Sequence, residues 1–239
     1  MPTIADETQY ASLARYALGL DRRPVLFGIS GAVGIGKSTA AGIIAAELDR
    51  FGASAEVVAT DGFLLPSAEL ERRGLGMRKG FPESYDVELL EDVLRRLRRG
   101  DPDVAVPLYS HEIYDRVPGP GRRLAAADVV IVEGVNALQP PAIEHLDIAL
   151  YIEADDADLR RWFAERFLEL CGAAATDEGS FYRRFAGMEE QQLLELSETI
   201  WETINGVNLR DHIGPSRSRA THVLRKRGDH SVEALDTVA

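Results

Sequence analysis

The chain is poor in three things, and each shortage excludes something. It has a single cysteine, Cys171, so no disulfide can close within it, which suits a reducing compartment. It has three lysines, Lys37, Lys79 and Lys226, against 24 arginines, so each lysine raises the question of why an arginine would not serve there. It is also short of positive charge: 27 Lys and Arg face 39 Asp and Glu, for a net charge of -12. That balance argues against a nucleic-acid partner, because phosphate backbones attract cationic surfaces. Long apolar runs are missing as well, and none approaches the ~20 residues that a membrane helix needs. The opening stretch MPTIADETQYASLARYALGL has no basic segment followed by an apolar core, so it does not read as a signal peptide. The expectation is a soluble, cytoplasmic protein that handles small molecules and engages neither nucleic acid nor membrane.

What is present is an ordinary globular composition, 45% hydrophobic and 28% charged. Short apolar runs read as strands at Val25–Ile29, Ala55–Thr60, Val104–Tyr109, Val129–Val132 and Ile148–Ile152, with a last strand near 221–225 before an acidic tail. Helical periodicity covers 5–19, Lys37–Arg50, Val87–Arg99 (stopped by Gly100), about 155–170 and about 187–204. Alternation of apolar strands with helices predicts an α/β fold, with a mostly parallel central sheet flanked by helices on both faces. No linker or repeat interrupts it, so residues 1–239 read as one domain. Residues 1–23 form a short N-terminal helical extension. Residues 64–84, rich in Gly, Pro, Arg and Glu, read as a loop or mobile cover.

The run GISGAVGIGKSTAAG, residues 28–42, carries the strongest signal. It fits G-x-x-x-x-G-K-[ST] at Gly31, Gly36, Lys37 and Ser38, with a strand before it and a helix after it. Glycines allow backbone N–H groups to converge on phosphate oxygens, and the following helix points its positive end at the same place. Gly31, Gly34, Gly36, Lys37, Ser38 and Thr39 are therefore the candidate ATP-binding residues: Lys37 for the β/γ-phosphates, and the Ser38 hydroxyl for Mg²⁺. The spacing does not fit the dinucleotide G-x-G-x-x-G. No lysine lies in an Asn-Lys-x-Asp context, which disfavours a switch GTPase. Small-molecule phosphoryl transfer is the favoured class.

Two acidic strand ends stand on the acceptor side. Asp61, in TDGF, could take a hydroxyl proton or hold Mg²⁺, although a Thr-Asp-Gly turn with a capping role is the plainer alternative. Glu133, closing VVIVE, reads as support for the metal ion. The segments RKGFPESYD (78–86) and PLYSHEIYD (107–115) mix aromatic and polar groups, as a small polar substrate requires.

Together these segments, with WETINGVNLRDHIGPSRSRA and VLRKRGDHSV, resemble the prokaryotic type I pantothenate kinases of the phosphoribulokinase/uridine kinase group of P-loop kinases. The resemblance runs from residue 25 to about 232. It implies a P-loop kinase fold, ATP-dependent phosphorylation of pantothenate as the first step of coenzyme A synthesis, and commonly a homodimer. It further implies Asp61 as base on the acceptor hydroxyl and Arg166 as a cation on the phosphoryl group in transit. Tyr109, His111 and Asn208 would line the pantothenate pocket, and Lys226 and His230 would lie near the nucleotide. Departures stand at Gly42, Phe163 and Leu170, where members sensitive to coenzyme A tend to carry Arg, Tyr and an aromatic. Weakened feedback is the expectation. The alternatives left open are a related kinase for another hydroxyl, nucleoside or sugar, and a nucleotide-binding regulator that transfers nothing.

Overall fold

The computed structural model describes residues 4–174 and 177–238, with side chains described from residue 8 onward. Its helices are α1 Ile4–Leu18, α2 Lys37–Arg50, α3 Ser67–Arg72, α4 Val87–Arg99, α5 Asp156–Ala173, α6 Glu190–Ile200 and the short α7 Gly206–Asn208. Its strands are β1 Val25–Gly31, β2 Ala55–Ala59, β3 Ala105–Val106, β4 Tyr109–Ser110, β5 Asp115–Arg116, β6 Arg122–Arg123, β7 Val129–Glu133, β8 Ile148–Glu153, β9 His222–Lys226 and β10 Val232–Thr237. Six of them form the central sheet in the order β10-β9-β8-β1-β7-β2. All neighbours are parallel except β10, which returns antiparallel to β9. No described helix is long and apolar enough to cross a membrane.

The continuous apolar runs of β1, β7 and β8 follow from burial on both faces. Alternate side chains go to opposite sides. Val25, Phe27, Ile29, Val129 and Ile131 join one core with α1 and α2, whereas Leu26, Val130 and Val132 join a second core with α4. α4 starts where the Asp86 side chain accepts from the Leu89 N–H, and ends where Gly100 turns left-handed at φ 71°. A third, smaller core gathers Phe167, Cys171 and Tyr182 between α5 and the turn at Phe181–Phe185.

The α/β fold with its mostly parallel sheet matches the sequence expectation, and three local expectations are corrected. Residues 104–109 are not a strand of the central sheet. They break into β3, which pairs with β6, and β4, which pairs with β5, forming two small ribbons above the sheet. Pro107 falls between them and cannot donate to a continuous ladder. Residues 64–84 are not a bare loop. They hold α3 and two single turns, anchored by buried Leu70, Phe81 and Ser84. The acidic tail forms β10, because Val232 is buried against the sheet while its acidic neighbours face out.

Register brings the chemistry to one edge. Glu133 is level with Ile29 of β1 and with Ala59 of β2. The carboxyl ends of three adjacent strands therefore deliver the glycine-rich loop, Asp61 and Glu133 to the same mouth, the position where ligands collect in open α/β sheets.

Candidate active site

β1 runs to Gly31, two residues beyond its expected end, and the loop leaves it at left-handed Gly34 (φ 80°) and Gly36 (φ 88°). Gly36 immediately precedes α2, so the first, unpaired N–H groups of that helix face the loop's hollow. The Lys37 ammonium is folded back onto the loop, donating to the carbonyls of Gly31 (3.2 Å) and Ala32 (2.9 Å). Burial pushes its pKa below the ordinary lysine value, against the raising pull of Glu133 and Asp61. The Ser38 hydroxyl donates to Glu133 Oε1 at 2.8 Å. Burial raises the Glu133 pKa, with Lys37 and Ser38 opposing the rise.

A cavity of about 580 Å³ opens from this loop into the acceptor side. Asp61 sits on its wall in a single turn, Thr60–Phe63, directly after β2. Gly62 is what lets this turn close: a Cβ there would lie 2.3 Å from the Pro107 carbonyl oxygen. The Asp61 carboxylate faces His111, Oδ2 to Nε2 at 3.9 Å. Burial lowers the His111 pKa, and Asp61 acts in the opposite direction. The Tyr109 ring stands edge-on to His111, centroids 5.2 Å apart. Burial lifts the Tyr109 and Tyr114 hydroxyls above the ordinary tyrosine pKa, so both are protonated donors at neutral pH. Arg166, on α5, and the buried Asn208 complete the wall. Asn208 Nδ2 donates to the Gly80 carbonyl at 2.8 Å, leaving Oδ1 without a donor among the described residues.

The structure thus brings Gly34, Gly36, Lys37, Ser38, Thr39, Asp61, Tyr109, His111, Glu133, Arg166 and Asn208 to one cavity. Gly31 lies just behind it, where a Cβ would meet the Ile152 carbonyl at 2.5 Å. Lys226 and His230 do not line this cavity but stand beside the glycine-rich loop. The Lys226 ammonium donates to the Ile35 carbonyl at 2.9 Å, close enough to Gly36 that a Cβ there would lie 2.9 Å from it, and His230 stacks on Trp162 with centroids 4.0 Å apart.

Lys79 was not among the site residues inferred from sequence. It lines the cavity, donates to the Tyr114 carbonyl and to Ser67 Oγ (2.9 Å), and lies 4.4 Å from the Tyr114 ring centroid and 5.2 Å from that of Tyr109. Burial lowers its pKa, while Asp115 and Asp61 pull it back up. The scarcity of lysine and the RKGFPESYD segment were the signals for it, but neither says which way the side chain turns. Among the described residues no three His, Cys, Asp or Glu side chains gather as metal ligands. The Ser38 and Glu133 oxygens fit a hard cation that draws its remaining ligands from water and phosphate.

The model of the Phosphoribulokinase / Uridine kinase family matches residues 26–162. The chain is similar to a pantothenate kinase of Myxococcus xanthus, 43% identical over 225 residues that span 89% of this chain and 71% of that one. It is similar also to a pantothenate kinase of Streptomyces avermitilis, 41% identical across 89% of this chain and 68% of the relative. Among solved structures it shares the fold of a D-glycerate 3-kinase from Cryptococcus neoformans, with a TM-score of 0.68 at 14% identity, covering 99% of this chain and 100% of that one.

Proposed function

The chain belongs to the phosphoribulokinase/uridine kinase family, and we propose that it phosphorylates a hydroxyl of pantothenate with ATP, the entry reaction to coenzyme A. The observation that carries this reading is the shared cavity: Lys37, Asp61 and Lys79 open into one enclosure of about 580 Å³. A triphosphate cradle, a carboxylate for an alcohol and a cation for an acid are the three features that an anionic hydroxy-acid acceptor requires. The identity to named pantothenate kinases supports the same acceptor.

In this reading the loop amides and Lys37 hold the ATP phosphates, and Lys37 exchanges its two carbonyl partners for phosphate oxygens. Asp61 accepts the acceptor's hydroxyl proton as that oxygen bonds to the γ-phosphorus. The bond to the β–γ bridging oxygen breaks, and ADP leaves with that electron pair. Arg166 and Lys37 carry the charge that spreads over the moving phosphoryl group. His111, kept neutral by burial, orients Asp61 or the acceptor without adding a competing cation. Lys79 binds the acceptor carboxylate, and the phenol of Tyr109 and the amide of Asn208 hold the polar groups between its two ends. Ser38 and Glu133 would hold Mg²⁺, which when bound neutralises phosphate charge. Lys226 fastens the nucleotide loop at the Ile35 carbonyl, and with His230 it stands near the bound nucleotide. A cytoplasmic location and a homodimer belong to the same proposal, the first because ATP is drawn there and the second by resemblance alone.

A panel of hydroxyl acceptors with labelled ATP tests the reading. Pantothenate is expected to show the highest kcat/KM. Preference for a sugar or nucleoside, or ATP binding with no transfer to any acceptor, would overturn it.

A further inference from the structure

The turn that presents Asp61 is tied by backbone to the segment that ends in Tyr85. The Leu65 N–H donates to the Ser84 carbonyl and the Asp86 N–H to the Phe63 carbonyl, both at 2.8 Å. Leu64 and Tyr85 form an antiparallel bridge between these bonds. Tyr85 is buried, and its ring forms part of the acceptor cavity wall. Thr60, the residue before Asp61, is buried too, and it packs so closely on Gly134 that a Cβ there would collide with Thr60 Oγ1. Gly134 follows Glu133 directly. Thr60 therefore links the two acids of the site: it shares a peptide bond with one and touches the residue after the other.

Two hydroxyls stand unpaired at this junction. Neither Thr60 Oγ1 nor the Tyr85 hydroxyl has a hydrogen-bond partner among the described residues, and both oxygens are sealed from solvent. Groups left so are rare in folded proteins, because each forfeits its bonds to water and gains nothing in return. Burial raises the Tyr85 pKa, the charge of Asp61 adds to the rise, and the Thr60 hydroxyl opposes it, so the three groups share one neighbourhood. A hydroxyl both donates and accepts, so each of the pair is able to satisfy the other.

We infer that Tyr85 is a positioning residue for phosphoryl transfer: its hydroxyl bonds to that of Thr60 in the transferring arrangement, and this bond fixes Asp61 against the attacking oxygen. The inference rests on the role proposed above for Asp61. The acceptor supplies the pull. As Asp61 takes up the acceptor hydroxyl, Thr60 moves with it, and the two orphaned hydroxyls close on one another. Their relief belongs to the transferring arrangement and not to the free enzyme. An interaction of that kind raises kcat and leaves the acceptor KM nearly unchanged.

Tyr85→Phe, Thr60→Val and the double variant test this, because each removes a hydroxyl and keeps nearly the same shape. Turnover is measured on whichever acceptor the wild type phosphorylates fastest, beside thermal melts of the free enzymes. Each single variant is expected to lose about 10- to 100-fold in kcat, with the acceptor KM within about threefold of wild type. The double variant should lose no more than about threefold beyond either single, because the two hydroxyls act as one unit. The melting midpoints should hold or rise, since each change deletes an unsatisfied buried group, whereas a purely structural pair would lower them. Wild-type kcat in Tyr85→Phe, losses that multiply in the double variant, or lowered midpoints would overturn the inference. Any of these results, with a wild type that transfers, refutes the positioning role alone. ATP binding by the wild type with no transfer to any acceptor would refute the kinase reading, and the positioning role with it.

Discussion

Lys79→Met isolates the acceptor-recognition reading from every other role of the cavity. The ammonium reaches Ser67 Oγ at 2.9 Å and the Tyr114 carbonyl, and it lies beside the Tyr109 and Tyr114 rings, partly withdrawn from water. A charge-assisted hydrogen bond in such a place is worth about 1.5–3 kcal/mol net. At about 1.4 kcal/mol per decade, its loss raises the pantothenate KM about 10- to 150-fold. The ATP KM should not move, because the phosphate cradle makes none of these contacts. Stability should change by only about 1 kcal/mol, because two lost hydrogen bonds are offset by relief of the desolvation that depresses the Lys79 pKa. The informative assay compares pantothenate with panthenol, the alcohol that lacks the carboxylate. Wild type should prefer the acid by the same 10- to 150-fold, and the variant should treat the two alike. Equal loss on both acceptors would mean that Lys79 only holds the 67–79 segment against Tyr114, and the recognition argument would fail. The pH dependence carries a sign. A lysine with a lowered folded pKa loses its proton below the ordinary value of 10.5, so acid-specific binding should fade in wild type at a pH where an exposed lysine would still be charged. Over that same window the unfolded chain binds more protons than the folded one, so Lys79 contributes stability that rises with pH.

Asp61→Asn should retain ATP affinity and lose about 10²- to 10⁴-fold in kcat, because the amide cannot accept the hydroxyl proton; single-turnover transfer within tenfold of wild type would reject the role. Glu133→Gln keeps an acceptor for Ser38 but removes a carboxylate whose pKa is raised by burial. The native state holds that proton above pH 4.5, so Glu133 costs stability as pH climbs through its raised value; the variant should melt no lower than wild type at neutral pH, yet need far more Mg²⁺ for turnover. Gly134→Ala places a Cβ 1.7 Å from Thr60 Oγ1, prising the end of β7 from the turn that carries Asp61. Loss of about 2 kcal/mol of stability together with lower kcat is expected, and denaturant melts with steady-state kinetics check both. A Cβ on Gly42 would meet nothing within 4 Å, so Gly42→Arg combined with Phe163→Tyr should fold, and coenzyme A should inhibit the double variant more strongly than wild type in initial-rate assays; equal inhibition of the two would refute this.

Backbone requirements made part of the site readable in advance. Nothing but glycine suits left-handed Gly34 and Gly36 beside a phosphate, so the loop announced itself, and with it Lys37 and Ser38. Strands buried on both faces are continuous apolar runs, so β1, β7 and β8 were legible, and the ends of β2 and β7 pointed to Asp61 and Glu133. Residues 104–109 misled because an apolar run does not state which strand it will pair with. The tail hid β10 because an edge strand needs only one inward residue in two and can be acidic elsewhere.

Local chemistry along the chain therefore determined the phosphate cradle, the parallel sheet and the two strand-end acids, because φ angles, burial and spacing are properties of neighbours in sequence. Tertiary structure alone decided that Lys79 faces Tyr109 and Tyr114, that Asn208 reaches across to Gly80, and that Lys226 donates to the Ile35 carbonyl of the loop while His230 packs on Trp162. Those contacts join residues separated by as many as 191 positions. A long side chain on a flexible stem takes its direction from whatever partner the folded chain sets beside it, and the order of residues along the backbone does not contain that direction.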